Sequence, residues 1–357
     1  MKAAVCYEFN KPLVVEELDL ERPHKGEIKV RMAATAICHS DIHFICGDMG
    51  GKLPFVPGHE SSGFVEEVGD GVTSVKVGDP VVLSLLRSCG VCPYCRTGRP
   101  NMCEANWPLD TESRLKNKRG QSIGHGVRVA SFAQYAVVDQ SQVVKIPSNM
   151  PMDRAALLAC GVITGFGAVV NRAKVKPMSS VVVIGVGGVG LNSIQGAKIA
   201  GAYPIIAVDM LDNKLQAARK FGATHTINGS QTDPVKAVKD MTSGRGADYA
   251  FVTVGVTTAV RQALSMIGRG GTTVVVGLAT QDLTSNPMEY IDGEKMLTGS
   301  FMGTTNLAVD VPKMVELYQS GALKLDELIS ARYPLDRINE AIDSVKKGEA
   351  LRNVIVF

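Results

Sequence analysis

A glycine-rich segment, Gly185-Val186-Gly187-Gly188-Val189-Gly190, constrains the fold of this chain more than any other feature. It follows an apolar run over residues 181–184 and opens a helical pattern over residues 189–200. In that position the glycines permit a tight turn and let phosphate oxygens reach the N-terminus of the helix. Strand and helix patterns keep alternating beyond it. The segment therefore predicts an α/β fold with a parallel, doubly wound sheet that binds a dinucleotide.

An acidic residue indicates which dinucleotide is bound. Asp209 ends the next predicted strand, 19 residues beyond Gly190. A carboxylate there would bind the adenosine ribose hydroxyls and would repel a 2′-phosphate, which favours NAD over NADP. Lys214 is placed to contact the same ribose, although a lysine on a helix is more often simply solvated.

The spacing of the eight cysteines indicates metal binding. The N-terminal residues lack the apolar core of a secretory signal, so we expect a cytoplasmic protein with reduced thiols. A cluster of four predicts a structural zinc site with every position filled; its members are Cys89, Cys92, Cys95 and Cys103. Cys6 and Cys46 are interpreted as plain buried or half-buried residues.

Three further residues form a second candidate zinc site. Cys38, His59 and Cys160 would supply three ligands and leave the fourth tetrahedral position open, as in a catalytic site. Each of them alone could equally be a packing or turn residue. Asp41 could accept the second ring N–H of His59, or it could be a turn residue. Glu60 could be a charge that faces solvent.

Composition bounds the remaining possibilities. A chain of 357 residues favours about two domains, and a formal net charge of +3 gives no reason to expect a nucleic-acid or membrane partner. The first 150 residues or so are β-rich, and residues 104–128 are interpreted as a long polar loop. The chain closes with helical patterns over residues 309–320 and 335–347 and a strand over residues 353–357.

Several of these motifs together resemble one family. The chain has Cys38-His39-Ser40-Asp41, then Gly58-His59-Glu60 with Gly63, the four-cysteine cluster, the glycine-rich segment with Asp209, and Arg352 near the end. This order resembles the zinc-containing medium-chain alcohol dehydrogenases, and its motif pattern is most similar to the NAD-dependent primary and aryl alcohol dehydrogenases. The resemblance implies a GroES-like β-rich catalytic domain over residues 1–161 and 303–357. It also implies a Rossmann NAD-binding domain over residues 162–302, with the active site in the cleft.

The resemblance also implies roles for individual residues. Cys38, His59 and Cys160 would hold a catalytic zinc, with Asp41 and Glu60 behind them. Each subunit would bind two zinc ions, one catalytic and one structural, together with NAD.

Further implied roles concern the proton and the cofactor. Ser40 would take the alcohol proton and pass it through the nicotinamide ribose to His43, which faces water. The pyrophosphate would contact His39 and Arg352, although many relatives carry arginine at position 39. Thr164 and Val189 would press the nicotinamide toward the zinc.

The expected substrate is a small alcohol or its aldehyde. By resemblance the pocket is apolar and lined by Met49, Leu85, Trp107 and Leu278. Such a pocket discriminates chain length weakly, at about 1–3 kcal/mol per methylene. Leu85 stands where several relatives have an aromatic residue. A roomier pocket for medium-chain or benzyl-type primary alcohols is therefore our hypothesis.

Three alternatives stay open. The chain could be a secondary alcohol or polyol dehydrogenase, and by comparison with the polyol dehydrogenases Cys160 and the complete cysteine cluster argue against the polyol branch. It could keep NAD permanently bound and pass hydride to a second carbonyl, or it could be a non-catalytic zinc- and nucleotide-binding scaffold. We expect a homo-oligomer, a dimer before a tetramer. The strand after Gly271 is a candidate for pairing across a two-fold axis.

Overall fold

The described strands belong to three sheets. A computed structural model describes residues 1–279 and 281–357. In chain order the strands are β1 (Lys2–Val5), β2 (Val14–Leu20), β3 (Glu27–Ala36), β4 (Phe55–Val56), β5 (Glu60–Val68), β6 (Pro80–Leu83), β7 (Leu115–Asn117), β8 (Ser122–His125), β9 (Tyr135–Asp139), β10 (Val143–Lys145), β11 (Val181–Ile184), β12 (Ile205–Asp209), β13 (His225–Asn228), β14 (Ala247–Val252), β15 (Ile267–Val275), β16 (Met296–Gly299), β17 (Ile329–Pro334) and β18 (Arg352–Val356).

The helices lie mostly in the second half of the chain. They are α1 (His39–Cys46), α2 (Pro93–Arg96), α3 (Met152–Leu157), α4 (Gly161–Gly167), α5 (Gly188–Ile199), α6 (Asp212–Phe221), α7 (Pro234–Met241), α8 (Thr257–Met266), α9 (Met288–Ile291), α10 (Leu307–Gln319) and α11 (Ile338–Lys346). Within residues 1–279 and 281–357, every helix is too short or too polar to cross a lipid bilayer.

The first of two structural units comprises Met1–Cys160 and Asn306–Phe357. Its larger sheet runs β10-β6-β5-β3-β18-β17, and β9 also pairs with β3. The C-terminal strand β18 lies antiparallel to β3, with Val354 opposite Ala36. Ala36 also pairs with Glu60 at the start of β5. The end of β3 and the starts of β5 and β18 therefore meet at one edge, and this edge carries the candidate metal ligands.

The second unit, Gly161–Thr305, is built around a parallel sheet. The strand order is β13-β12-β11-β14-β15-β16, and β11 is buried along its length. This order reverses between β11 and β14, which is the arrangement of doubly wound dinucleotide-binding sheets. The predicted doubly wound α/β sheet is confirmed. Ligands of such sheets bind at the carboxyl ends of the strands near the reversal, where the glycine-rich segment follows β11.

The interpretation of residues 104–128 as a polar loop is wrong in part. Strands β7 and β8 form a hairpin there and belong to the five-stranded sheet β1-β2-β7-β8-β4. Leu115 and Ile123 are buried in it, and so are the polar Arg114 and Asn117. Strands are predicted from alternating apolar and polar residues. Because half of the buried residues named here are polar, the sequence of this hairpin lacks that alternation.

The proposed pairing strand after Gly271 is also placed differently. It lies within β15, which has β14 on one side and β16 on the other. Both edges of the strand are already hydrogen bonded, so it is not free to pair with a second copy of the chain. The short strand β16 takes the outer position instead.

Candidate active site

Three buried side chains converge in the first unit. The sulfur and imidazole ligand atoms of Cys38, His59 and Cys160 all lie within 4.8 Å of one another. Cys38 is the N-cap of α1, and His59 immediately precedes β5. The Nε2 atom of His59 lies 3.3 Å from the Cys160 sulfur. Two soft thiols and an imidazole in one buried cluster fit a zinc ion, with three protein ligands.

Asp41 fixes the orientation of the histidine. Its carboxylate, which is fully buried, accepts hydrogen bonds from the backbone N–H groups of Cys38 (3.1 Å) and Gly58 (3.0 Å). It also bonds the Nδ1 atom of His59 at 2.8 Å, as predicted. With Nδ1 engaged, Nε2 is the nitrogen that faces the two sulfurs, which selects the tautomer that a metal ligand needs. Asp41 is thus more than the turn residue of the alternative interpretation.

Electrostatics in this cluster favour a charged thiolate. The hydrogen bond from Cys160 lowers the pKa of Cys38 well below its ordinary value, although burial opposes this. The same hydrogen bond raises the pKa of Cys160. Burial alone would lower the pKa of His59, but the Asp41 carboxylate raises it. A thiolate with a neighbouring thiol and an oriented imidazole is a donor set that a divalent cation would bind with release of protons.

An arginine and a glutamate lie directly behind the ligands. Glu60 is fully buried, so the interpretation of it as a solvent-facing charge is wrong. Its Oε2 atom lies 3.7 Å from Nη1 of Arg352, which also donates to the carbonyl of Ile37 at 3.4 Å. Arg352 is 4% exposed. Its predicted contact with pyrophosphate stays a prediction, whereas its contact with Glu60 is a feature that the motifs did not indicate.

The predicted proton-relay residues lie on α1. The hydroxyl of Ser40 is 3.6 Å from the Cys38 sulfur, and the side chain of His43 is 36% exposed. The Nδ1 atom of His43 bonds the carboxylate of Asp48 at 2.9 Å, a partner that the sequence motifs did not indicate. Gly47 ends α1 in the left-handed region at φ +85°, which turns the chain so that Asp48 returns to His43. A glycine followed by an aspartate directly after the helix is the sequence signal that could have indicated the contact between His43 and Asp48. His39, the first residue of α1, is exposed.

The four clustered cysteines also come together. Their sulfurs lie within 4.8 Å of one another. Backbone N–H groups of the cluster point at sulfurs, with Cys89 to Cys103 and Cys92 to Cys89 both at 3.3 Å. The N–H of Cys95 and a second backbone N–H lower the pKa of Cys92 to about 6. Four sulfurs supported by N–H donors fit a tetrahedral zinc site with no open position.

The glycine-rich segment connects β11 to α5 in the second unit. Gly185 follows β11 directly, Gly187 is the N-cap of α5, and Gly188 begins the helix. No side chain of the described residues caps this helix N-terminus, and its first turn carries no acidic residue. A Cβ on Gly187 would meet nothing within 4 Å, so open space lies beside the N–H groups of this terminus. That space suits a pyrophosphate.

Asp209 lies beside this turn. One carboxylate oxygen accepts the N–H of Val186 at 2.8 Å, and the other accepts the N–H groups of Met210 and Leu211. These bonds hold the half-buried carboxylate at the end of β12, next to the turn. Lys214 follows on α6 and is half-buried.

Two more predicted cofactor contacts lie in the second unit. Thr164, on α4, donates to the Met302 sulfur at 3.6 Å. Val189, in the first turn of α5, is half-buried.

Substitution of two glycines of the segment should affect different properties, ligand affinity at Gly187 and stability at Gly190. Gly187→Ala adds a methyl group into the open space, so we expect binding of the predicted dinucleotide, tested with NAD, to weaken about tenfold while the thermal midpoint is unchanged. Gly190→Ala places a Cβ 2.0 Å from the Gly185 carbonyl oxygen. We expect that variant to lose about 1–3 kcal/mol of unfolding free energy. Calorimetry of NAD binding and denaturant unfolding measure both effects. Equal loss of stability in the two variants would contradict this prediction.

The predicted substrate-pocket residues divide between the units. In the first unit Met49 is 41% exposed, Leu85 packs partly against the core of the larger sheet, and the Trp107 ring is half-buried. In the second unit Leu278 is 42% exposed.

Comparison with known proteins agrees with this geometry. Residues 24–148 match the family described as "Alcohol dehydrogenase GroES-like domain", and residues 188–320 match "Zinc-binding dehydrogenase". The chain is 38% identical to the NDMA-dependent alcohol dehydrogenase of Amycolatopsis methanolica, over 99% of this chain and 98% of that one. It is also 38% identical to alcohol dehydrogenase 1 of Pisum sativum, over 99% and 96% of the two chains.

A solved structure matches the fold over its whole length. The benzyl alcohol dehydrogenase of Acinetobacter calcoaceticus is 34% identical, with a TM-score of 0.92 over 100% of this chain and 99% of that one. Two family matches cover more than half of the chain, and relatives above 30% identity cover nearly all of it. This chain therefore belongs to the zinc-containing medium-chain alcohol dehydrogenase family, and it is an oxidoreductase.

Proposed function

We propose that this protein oxidises a primary alcohol of medium chain length or benzyl type to its aldehyde, reversibly, with NAD as the hydride acceptor. The observation that carries the proposal is the buried cluster of Cys38, His59 and Cys160, oriented by Asp41 and adjacent to the Ser40 hydroxyl. Asp209 beside the glycine-rich turn supports NAD over NADP, because a carboxylate repels a 2′-phosphate. The likeness to a benzyl alcohol dehydrogenase supports the substrate class.

In this proposal some residues of the chain hold zinc and others hold NAD. Zinc, when bound, supplies Lewis acidity that lowers the pKa of an alcohol hydroxyl, and NAD accepts hydride. We assign Cys38, His59 and Cys160 to hold the catalytic zinc, while the four-cysteine cluster holds a structural one. The α5 N-terminus would bind the pyrophosphate, and Asp209 the ribose. Ser40 would accept the alcohol proton, and His43 would deliver it to water.

The relay predicts a specific defect. Replacing His43 by alanine should slow alcohol oxidation about tenfold to a hundredfold, since a positioned base is lost. Added imidazole should restore part of the rate. Asp48→Asn, which keeps the histidine and removes only its carboxylate partner, should show a smaller loss and little rescue. Steady-state kinetics at saturating NAD compare the oxidation rates of the wild type and the two variants. Unchanged rates in the His43 variant would exclude the relay.

Initial-rate NADH formation tests the function as a whole. Purified protein is assayed with NAD and NADP in parallel on ethanol, hexanol, benzyl alcohol, 2-propanol and sorbitol. We expect the highest kcat/KM on hexanol or benzyl alcohol with NAD, and loss of the rate after a chelator removes zinc. The highest kcat/KM on ethanol would overturn the substrate assignment. A preference for 2-propanol or sorbitol would move it to a secondary alcohol or polyol dehydrogenase.

One relative favours a second candidate. The name of the Amycolatopsis methanolica protein states that its alcohol dehydrogenase activity depends on NDMA. The matching proposal here is that NAD stays bound and passes hydride from the alcohol to a second acceptor. NAD retained through gel filtration, with no free NADH but turnover when NDMA is added, would select this candidate.

We also propose that the chain forms a homo-oligomer. The outer strand β16 supports this, because among the described residues it is paired only with β15 and exposes Met296. Light scattering of the purified protein distinguishes a dimer or tetramer from a monomer.

A further inference from the structure

Cys160 lies in a turn, between the end of α3 at Leu157 and the start of α4 at Gly161. A hydrogen bond from a distant residue holds the backbone directly before it. The hydroxyl of Ser84, which follows β6, donates to the carbonyl of Ala159 at 2.7 Å. Ser84 is fully buried and lies 75 residues away in the sequence. The position of Cys160 therefore depends on a side chain of the larger sheet.

Ser84 is held in turn by Gln142, which is also fully buried. The N–H of Ser84 donates to the Gln142 carbonyl at 3.0 Å, and the Gln142 Nε2 donates to the Ser84 carbonyl at 2.8 Å. The oxygen of the same amide accepts from Nε of Arg87 at 2.8 Å, so the amide has one orientation. Both backbone groups of Ser84 are thus engaged, which fixes the point from which its hydroxyl reaches Ala159.

The Gln142 amide also supports a segment with unusual backbone geometry. Val127, Arg128 and Ala130 have φ values of +48°, +65° and +61°. This left-handed region costs energy for residues other than glycine, most of all for a β-branched residue such as Val127. The Arg128 carbonyl accepts from Nε2 of Gln142 and from Nη2 of Arg87, both at 3.2 Å. Two buried side chains therefore hold the strained segment in place.

The strained segment leads to the backbone beside His59. The N–H of Ser131 donates to the carbonyl of Gly58 at 3.0 Å. A Cβ on Gly58 would lie 2.7 Å from the Ser131 hydroxyl oxygen, so the two segments are closely packed. Two chains of contacts thus begin at Gln142. One ends at the residue before Cys160, and the other ends at the residue before His59.

We propose that Ser84 and Gln142 are positioning residues that preset the separation of two metal ligands and so determine how tightly the site holds its ion. The ligands are Cys160 and His59, whose Sγ and Nε2 atoms lie 3.3 Å apart. The inference rests on the proposed function, because it takes these ligands and Cys38 to hold the catalytic zinc. Zinc needs its ligands at defined distances and angles, and a supporting structure that keeps them there raises its affinity. Both residues act through the backbone next to a ligand rather than on the metal itself.

The chain offers a matched control in Ser62. This serine is also fully buried, and its hydroxyl donates to the carbonyl of Met152, the first residue of α3, at 2.5 Å. Ser62→Ala and Ser84→Ala therefore each remove one buried hydroxyl that ties the larger sheet to the region of α3. Only the bond from Ser84 reaches the residue next to a ligand. The two variants separate docking of α3 from positioning of Cys160.

The first measurement is zinc affinity. Zinc-loaded wild type, Ser84→Ala, Ser84→Thr and Ser62→Ala are titrated with a chromophoric chelator, which gives the affinity of each of the two proposed sites. For Ser84→Ala we expect one site to weaken about tenfold, as when a hydrogen bond behind a metal ligand is lost, and the other site to stay unchanged. Ser84→Thr keeps the hydroxyl and should remain closer to the wild type. Ser62→Ala should match the wild type.

A second variant and a spectrum extend the test. Gln142→Glu keeps the oxygen that accepts from Arg87 and removes the amide that donates to Ser84 and Arg128. It should weaken the same site several-fold, and it serves if Ser84→Ala does not fold. With Co²⁺ exchanged for zinc, both variants should show shifted visible absorption bands, because these bands report the geometry of the ligands. A variant that had only lost stability would keep the wild-type bands.

The outcomes distinguish the inference from the proposed function. Wild-type zinc affinity and an unchanged cobalt spectrum in folded Ser84→Ala, or in folded Gln142→Glu where the former does not fold, would overturn the inference and leave the proposed function intact. An equal weakening in Ser62→Ala would overturn it as well, because docking of α3 would then control the site. A wild-type protein whose zinc content is the same as that of Cys160→Ser would instead reject the catalytic site, and the proposed function with it.

Discussion

Replacing Cys160 with serine is expected to reduce alcohol oxidation about a thousandfold and to lower the zinc content from the proposed two ions per chain to one. The Cys160 sulfur lies 3.3 Å from His59 Nε2, in the buried cluster with Cys38. Serine offers zinc a harder oxygen donor, and its hydroxyl is much less acidic than a cysteine thiol, so it holds zinc poorly. The Lewis acidity of a catalytic metal ion contributes several kcal/mol to the transition state, and about 1.4 kcal/mol corresponds to a factor of ten in rate.

Matched cysteine variants show whether this loss is specific. Cys46 is half-buried at the end of α1, outside both cysteine groups, so Cys46→Ser should keep both zinc ions and the full rate. Cys95→Ser should also lose one zinc ion, but from the four-cysteine cluster, and should lower the thermal midpoint. Metal analysis and kinetics of the three variants separate the sites. A Cys160 variant that keeps both zinc ions and the wild-type rate would exclude the assigned catalytic site.

Most of the candidate metal ligands belong to a local pattern, whereas Cys160 is isolated in the sequence. Cys38 and His59 stand in short segments rich in glycine and polar residues, and the four clustered cysteines have metal-ligand spacing. The bond from Asp41 to His59 also followed from general chemistry, since a ligating histidine usually donates its other ring N–H to an acceptor. Such predictions need only residue types and spacing.

The contact between Arg352 and Glu60 could not be found in the same way. It depends on β18 pairing with β3, and on β3 pairing with β5. No local pattern indicates which distant strand the last strand of the chain joins. The position of the buried Arg87 has the same origin, because its hydrogen-bond partners Asp110, Arg128 and Gln142 come from separate segments.

The polar composition of the β7–β8 hairpin conceals it in the sequence. Arg114 starts the hairpin and is buried, yet its partner Glu27 is 87 residues away in the sequence. A buried charge is tolerated only when it is paired, and a pairing over that distance leaves no trace in hydropathy or spacing. The segment therefore looked like a solvated loop.

This same ion pair predicts a large loss of stability. Arg114 Nη2 lies 2.7 Å from Glu27 Oε1 and Nε lies 3.0 Å from Oε2, and the two side chains are 3% and 6% exposed. Burial would raise the pKa of Glu27, but the hydrogen bond from Arg114 prevails and lowers it. Arg114→Met removes the cation and leaves the carboxylate buried. We expect a loss of about 3–5 kcal/mol in unfolding free energy, measured by urea denaturation near neutral pH.

A second carboxylate on the same arginine provides the control. Glu112 lies 3.2 Å from Arg114 Nη1, but its side chain is 58% exposed. Glu112→Gln should therefore cost less than about 1 kcal/mol, as exposed ion pairs do. The double variant Arg114→Met with Glu27→Leu removes both buried charges and should recover much of the loss.

The pH dependence separates an uncompensated charge from a simple packing defect. In the wild type the folded pKa of Glu27 lies below its unfolded value near 4.5, so the pair's contribution is present above about pH 4.5 and is lost as the pH falls through the folded value. In Arg114→Met the arginine no longer lowers the pKa of Glu27, so burial, opposed by the backbone N–H of His24, shifts the folded pKa upward. The difference in stability between the two proteins should therefore be largest at neutral pH and shrink as acid protonates the buried carboxyl group. A difference that stays constant from neutral pH to pH 4 would show that lost packing, rather than the buried charge, explains the defect.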